Sequence, residues 1–78
     1  MIAISTSGYS KNILKAVEAA NLKGLIVIGL TGNEGGELIS HATHTIVVPS
    51  NVTARIQEAH ILIGHCWCGA IEEALSAI

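Results

Sequence analysis

Residues Leu25–Leu30, Leu-Ile-Val-Ile-Gly-Leu, are apolar almost throughout, and Gly24 and the Gly-rich stretch Thr31-Gly32-Asn33-Glu34-Gly35-Gly36 bound them. A run this short does not alternate, so it suits a strand covered on both faces, as in a parallel sheet. Parallel strands need crossover connections, usually helical. The flanking sequence offers them. Ile13, Leu14, Val17 and Ala20 fall at helical spacing, with Lys11, Lys15 and Glu18 on the other faces. Ser10 is placed to cap that helix and Gly24 to stop it.

Two further strands are expected. Met1–Ile4 is a short apolar run entering a loop, and Thr45–Val48 is rich in β-branched residues and closed by Pro49. Glu37–Ala42 has room for a short helix only. From about Thr53 to the end the pattern is helical, with Ile56, Ala59, Ile63, Cys66, Ala70 and Ile71 among its apolar positions. The order β-α-β-α-β-α with a long last helix predicts an α/β, three-layer sandwich around a parallel sheet.

Composition narrows the function classes. Half of the 78 residues are hydrophobic, 13% are charged and the formal net charge is −2. That balance argues against a nucleic-acid module, which needs a basic face, and against disorder. No apolar run approaches the ~20 residues of a membrane-spanning helix. Met1 leads directly into a strand-like run, so no secretory leader is expected. Cys66 and Cys68 lie too close together for a disulfide framework, which points to a reducing, cytoplasmic setting with buried thiols. A chain this small and apolar is expected to cover its remaining surface with another subunit or with more of the same domain.

The chemistry-bearing segment is Ser5-Thr6-Ser7-Gly8-Tyr9-Ser10, where the first strand hands over to the first helix. Ligands of parallel α/β sheets bind at the carboxyl ends of strands. The helix start adds free N–H groups and a positive dipole end, the hydroxyls add donors, and Gly8 admits close backbone approach. Two readings stay open: Ser10 caps the helix while the other hydroxyls satisfy the turn, or the loop cradles a phosphate. Four hydroxyls in six positions exceed what a cap requires and favour the phosphate. The loop lacks the Gly-Lys-Ser/Thr ending of a Walker A sequence.

Taken together, Ala3–Asn12, Gly29-Leu30-Thr31-Gly32 with Gly35-Gly36, Val48-Pro49-Ser50, and Ala54–His60 with His65 resemble the sugar isomerase (SIS) domain, and within it the phosphoheptose isomerases. The resemblance runs over essentially all of the chain but matches only the C-terminal part of that family's sequences, so residues 1–78 are expected to be that part of a SIS domain without its N-terminal part. It implies an enzyme that interconverts the aldose and ketose forms of sedoheptulose 7-phosphate on the way to lipopolysaccharide-core heptose, and a cytoplasmic homotetramer with sites between subunits. It implies that Ser5, Thr6, Ser7 and Ser10 hold the substrate phosphate. It also implies that Gln57 and His65 bind a divalent metal, usually zinc, with a His and a Glu of the N-terminal part as the other ligands, and that His65 is a catalytic base. Asn33-Glu34 replaces the family's common Lys-Asp, read as a surface change of little consequence, and Ala54 replaces an acid found in some members.

The residues can carry this chemistry. Moving a proton between neighbouring carbons needs a base that returns it, and His titrates in the right range while zinc polarises a carbonyl. The spacing is less favourable: eight residues along a helix separate Gln57 and His65 by ~12 Å and about 80°. His60, three residues from Gln57, is read as a packing residue or one that supports the ligands. His41 and His44 suit the end of the short helix. Trp67 is read as a packing or subunit contact, Glu58, Glu72 and Glu73 as solvated charges, and Arg55 as either a surface arginine or a contact to a phosphate or to an acid of a neighbouring subunit. Gly64 and Gly69 inside the last helix cost about 1 kcal/mol each.

Two non-catalytic alternatives share the loop: an adaptor like the DnaA initiator-associating protein, which resembles the chain in the Arg-Ile-Gln-Glu run but lacks a His matching His65, and a sugar-phosphate-binding module without turnover. With half of the implied metal site outside these residues, the chain alone is expected to show little isomerase activity.

Overall fold

The computed structural model describes residues 1–77. Strand β1 (Ile2–Ser5) leads to helix α1 (Lys11–Leu22), β2 (Ile28–Gly32), helix α2 (Leu38–His41), β3 (His44–Val48) and helix α3 (Thr53–Ser76). The strands are all parallel in the order β1-β2-β3, with Ile2 opposite Ile28 and Ile28 opposite His44. Two successive crossovers in one direction put α1 and α2 on the same face. Helix α3 takes the other, giving the three-layer α/β arrangement expected from the segment order.

Side chains alternate across β1, so Ala3 and Ser5 are buried towards α1 and α2 while Ile2 and Ile4 face the α3 side. The first face closes on Ala3, Val17, Ala20, Val27 and Leu38, with Ile13, Leu14 and Ala42 around them. On the second face Ile56 packs onto Gly32, and Leu30, Ile56 and His60 are buried. A side chain at Gly32 would overlap the Ile56 side chain, so this glycine is what lets α3 lie against β2.

Three local expectations change. The central strand begins at Ile28, not Leu25, and Leu25 and Ile26 are exposed. The reason is the end of α1: Leu25 N–H donates to Ala20 O and Gly24 N–H to Asn21 O, both at 3.0 Å, with Gly24 at φ +73°. This Schellman closure takes Leu25 out of the sheet. Ser10 holds the N-cap position of α1 without a side-chain capping bond. Cys66 and Cys68 are exposed rather than buried. Helix α3 has 24 residues and is thus about 36 Å long, whereas a five-residue strand spans roughly 17 Å. The helix therefore outruns the sheet that would have covered its cysteines. Gly64 and Gly69 have open space around them, so they mark no close helix approach among the described residues.

Candidate functional site

The loop after β1 is held by its own hydroxyls and by a second glycine-rich loop. Gly8 N–H donates to Ser5 O at 3.2 Å and to Ser5 Oγ at 3.1 Å, which closes a tight turn. Ser5 Oγ donates to Ser10 Oγ at 3.0 Å, and Tyr9 N–H to Ser7 Oγ at 3.1 Å. Ser5 is buried, Thr6 and Ser10 are half-buried and Ser7 is exposed. The four hydroxyls thus run from the foot of the turn out to solvent, beside the first free N–H groups of α1. Ser10 engages Ser5 instead of capping, which leaves those N–H groups unclaimed by its side chain.

Gly8 is the pivot of this arrangement. It sits at φ +75°, and a Cβ there would collide with Gly35 O. Gly36, at φ +61°, meets Ser7 O and Gly8 in the same way. The two backbones therefore touch with no side chain between them. Leu38 N–H donates to Gly8 O at 3.1 Å and Thr31 Oγ1 to Gly35 O at 3.3 Å, which fastens the contact. Beside it, Ser7, Tyr9, Asn33, Ser50 and Asn51 line an open cavity of about 800 Å³ at the carboxyl ends of the strands. Such a crevice is where a parallel sheet binds ligands.

Gln57 and His65 lie elsewhere, on an exposed face of α3. With Ile4, His60, Ile61 and Cys68 they line a second, mainly apolar groove of about 520 Å³ between α3 and β1. The ~12 Å implied by their helical spacing thus spans one groove, and both side chains face it. A zinc centre takes at least three protein ligands. Two donors fit part of such a shell, and no cluster of three or more His, Cys, Asp or Glu residues disposed around one point occurs among the described residues. The two cavities share no lining residue but meet across β1, where Ile4 lines the groove and the next residue, Ser5, opens the hydroxyl loop.

His60 joins them from below. Buried on α3, its Nε2 lies 2.9 Å from Thr31 O, and because a carbonyl only accepts, Nε2 carries the proton. Thr31 in turn reaches Gly35, so the helix that presents the groove is tied to the loop contact. Of the two readings of His60, a packing residue or one that supports the ligands, its contact is with the sheet at Thr31 O and not with Gln57 or His65. Arg55 pairs with Glu58 at 2.9 Å on the exposed start of α3, not with the hydroxyl loop. Asn33 is the residue whose role the sequence conceals. Its Nδ2 donates to Thr6 O at 3.3 Å and its N–H to Ser50 O at 2.8 Å, so it is no passive surface position. The only signal for it in the sequence is a side chain tolerant of positive φ directly after Gly32 in a glycine-rich stretch.

The model of the SIS domain matches residues 1–63, which include the hydroxyl loop, both glycine-rich contacts and the first part of α3. The chain belongs to the SIS domain family. It is 52% identical over 75 residues to the phosphoheptose isomerase of Rhodospirillum rubrum, covering 96% of this chain and 40% of that protein. To phosphoheptose isomerase 2 of Campylobacter jejuni it is 57% identical over 74 residues, covering 95% and 37%. Among solved structures, phosphoheptose isomerase from Francisella tularensis superposes with a TM-score of 0.88 at 45% identity, over 92% of this chain and 39% of that one. The enzyme from Neisseria gonorrhoeae gives 0.86 at 44% identity, over 90% and 40%. The chain thus spans about two fifths of the length of the relatives it matches.

Proposed function

We propose that the chain carries the phosphate-binding loop and one side of the reaction centre of an aldose–ketose isomerase acting on sedoheptulose 7-phosphate. The observation that carries the reading is the loop itself: Ser5, Thr6, Ser7 and Ser10 gathered at a strand end, with Gly8 pressed on Gly35 so that backbone rather than side chain fills the space. Similarity to proteins named phosphoheptose isomerase over more than nine tenths of the chain supports the substrate class.

In this reading the substrate phosphate lies against the hydroxyls and the free N–H groups of α1, where an anion is stabilised without a formal positive charge. The phosphate anchors one end of the sugar, which orients the carbons to be interconverted. His65, exposed in the groove, takes the proton from one carbon to give an enediol and returns it to the neighbouring carbon, while the hydroxyl proton passes from one sugar oxygen to the other so that hydroxyl and carbonyl exchange places. Gln57 and His65 would hold a zinc ion, which supplies polarisation of the sugar carbonyl. His60 keeps α3 in register with β2 so that His65 stays in the groove. A homotetramer in the cytoplasm, serving lipopolysaccharide-core heptose synthesis, belongs to the same proposal.

Calorimetric titration with sedoheptulose 7-phosphate and with unphosphorylated sedoheptulose tests it. The phosphate ester binds and the free sugar binds at least about tenfold more weakly, the loss expected when a charge-assisted anchor worth roughly 1.4 kcal/mol or more is removed. Equal binding of the two, or robust turnover by the 78-residue chain with added zinc, contradicts this assignment of groups.

A further inference from the structure

Among the described residues, Asn33 joins the loops that follow all three strands. It stands on the loop after β2. Its side-chain amide donates to Thr6 O, on the loop after β1, at 3.3 Å, and its backbone N–H donates to Ser50 O, on the loop after β3, at 2.8 Å. Its φ is +55°, the left-handed region where Gly and Asn are the residues least strained. Glycine alone would satisfy that backbone. What asparagine adds is the amide, and the amide goes to the half-buried Thr6, in the middle of the hydroxyl run. Without that bond the turn from Ser5 to Ser10 would be held by Gly8 against the second loop and left unbraced at Thr6.

We propose that Asn33 is a positioning residue for the anion loop: by holding the Thr6 carbonyl it fixes the shape in which the hydroxyls meet a phosphate. The inference rests on the phosphate reading of that loop. It gives the loop a brace from a neighbouring strand, in addition to the glycine contact at Gly8. It also places an uncharged amide, not a cation, at the rim of the cavity that Ser7, Asn33 and Ser50 line.

The test compares Asn33→Gly and Asn33→Asp with the parent chain. Glycine keeps the positive φ and removes only the amide; aspartate cannot donate to Thr6 O and adds negative charge. Amide hydrogen exchange of the free proteins reads the brace, and titration with inorganic phosphate reads its consequence. In N33G, exchange of the residue 6–10 amides rises about fivefold while that of Val17 and Ala20 is unchanged, and phosphate affinity falls about fivefold, the size of one ordinary hydrogen bond. The Ser7 amide nitrogen, which shares a peptide group with the Thr6 carbonyl, shifts in the NMR spectrum. N33D loses more affinity than N33G. Unchanged exchange in N33G overturns the proposal, as does faster exchange with undiminished phosphate affinity. If the parent chain itself binds no phosphate, the anion reading falls and takes the positioning role with it, and that failure is visible in the parent alone.

Discussion

On one face of the sheet, α1 and α2 close over Ala3, Val17, Ala20, Val27 and Leu38. On the other, α3 covers Leu30 with its own Ile56 buried against Gly32, but leaves Ile2 53% and Ile4 52% exposed. The first face is a packed interior made from local crossovers. The second is an open groove, and it is the one that carries Gln57 and His65. The hydroxyl loop lies at the strand ends between them and draws its support from the closed side, through Leu38 and Gly35. The proposed phosphate site thus rests on packing that these residues complete among themselves, whereas the proposed reaction centre stands on a face that they cover only in part.

Substitutions on the two faces put that contrast at risk. The largest effect is expected at the joint. Gly8→Ala combines positive φ with a clash against the Gly35 backbone, and should lower unfolding stability by about 3 kcal/mol or more in urea denaturation. On the closed face, Leu38→Ala removes a fully buried side chain and should cost about 2–5 kcal/mol by the same measurement. His60→Ala, at the boundary of the groove, leaves Thr31 O without its donor and should cost about 1–3 kcal/mol. On the open face, Ile4→Ala should cost less than about 1 kcal/mol, because its side chain is half in solvent already. A large loss there would show that the groove is covered in solution. The smallest effect on stability is expected for His65→Gln, within about 0.5 kcal/mol, while the zinc binding proposed for Gln57 and His65, measured by calorimetry, is expected to weaken.

What the sequence reveals and what it hides follow the same division. The α1 helix and its Gly24 stop are readable because their signals are local: apolar spacing, then a glycine that takes positive φ. Strand β2 starts later than the apolar run suggests, because Leu25 and Ile26 look like the rest of that run and only the hydrogen bonds of the helix end set them apart. Cys66 and Cys68 read as buried because composition does not tell how far a helix extends past its sheet. The hydroxyl loop is visible as a cluster of residue types. The glycine contact at Gly8 and the bond from Asn33 to Thr6 are not, because both join residues 27 positions apart, and no local pattern encodes such a pairing. Gln57 and His65 come from family resemblance; their spacing alone argues against them.

Everything functional in this chain turns on whether side-chain hydroxyls and backbone amides at the end of β1 grip a phosphate. An NMR titration with sedoheptulose 7-phosphate, following the backbone amides, reads that grip without relying on turnover. Saturable shifts concentrated at residues 5–12 are expected, reproduced by inorganic phosphate and absent with unphosphorylated sedoheptulose. Shifts centred on the α3 groove with none at residues 5–12, or no shifts at all, would refute it.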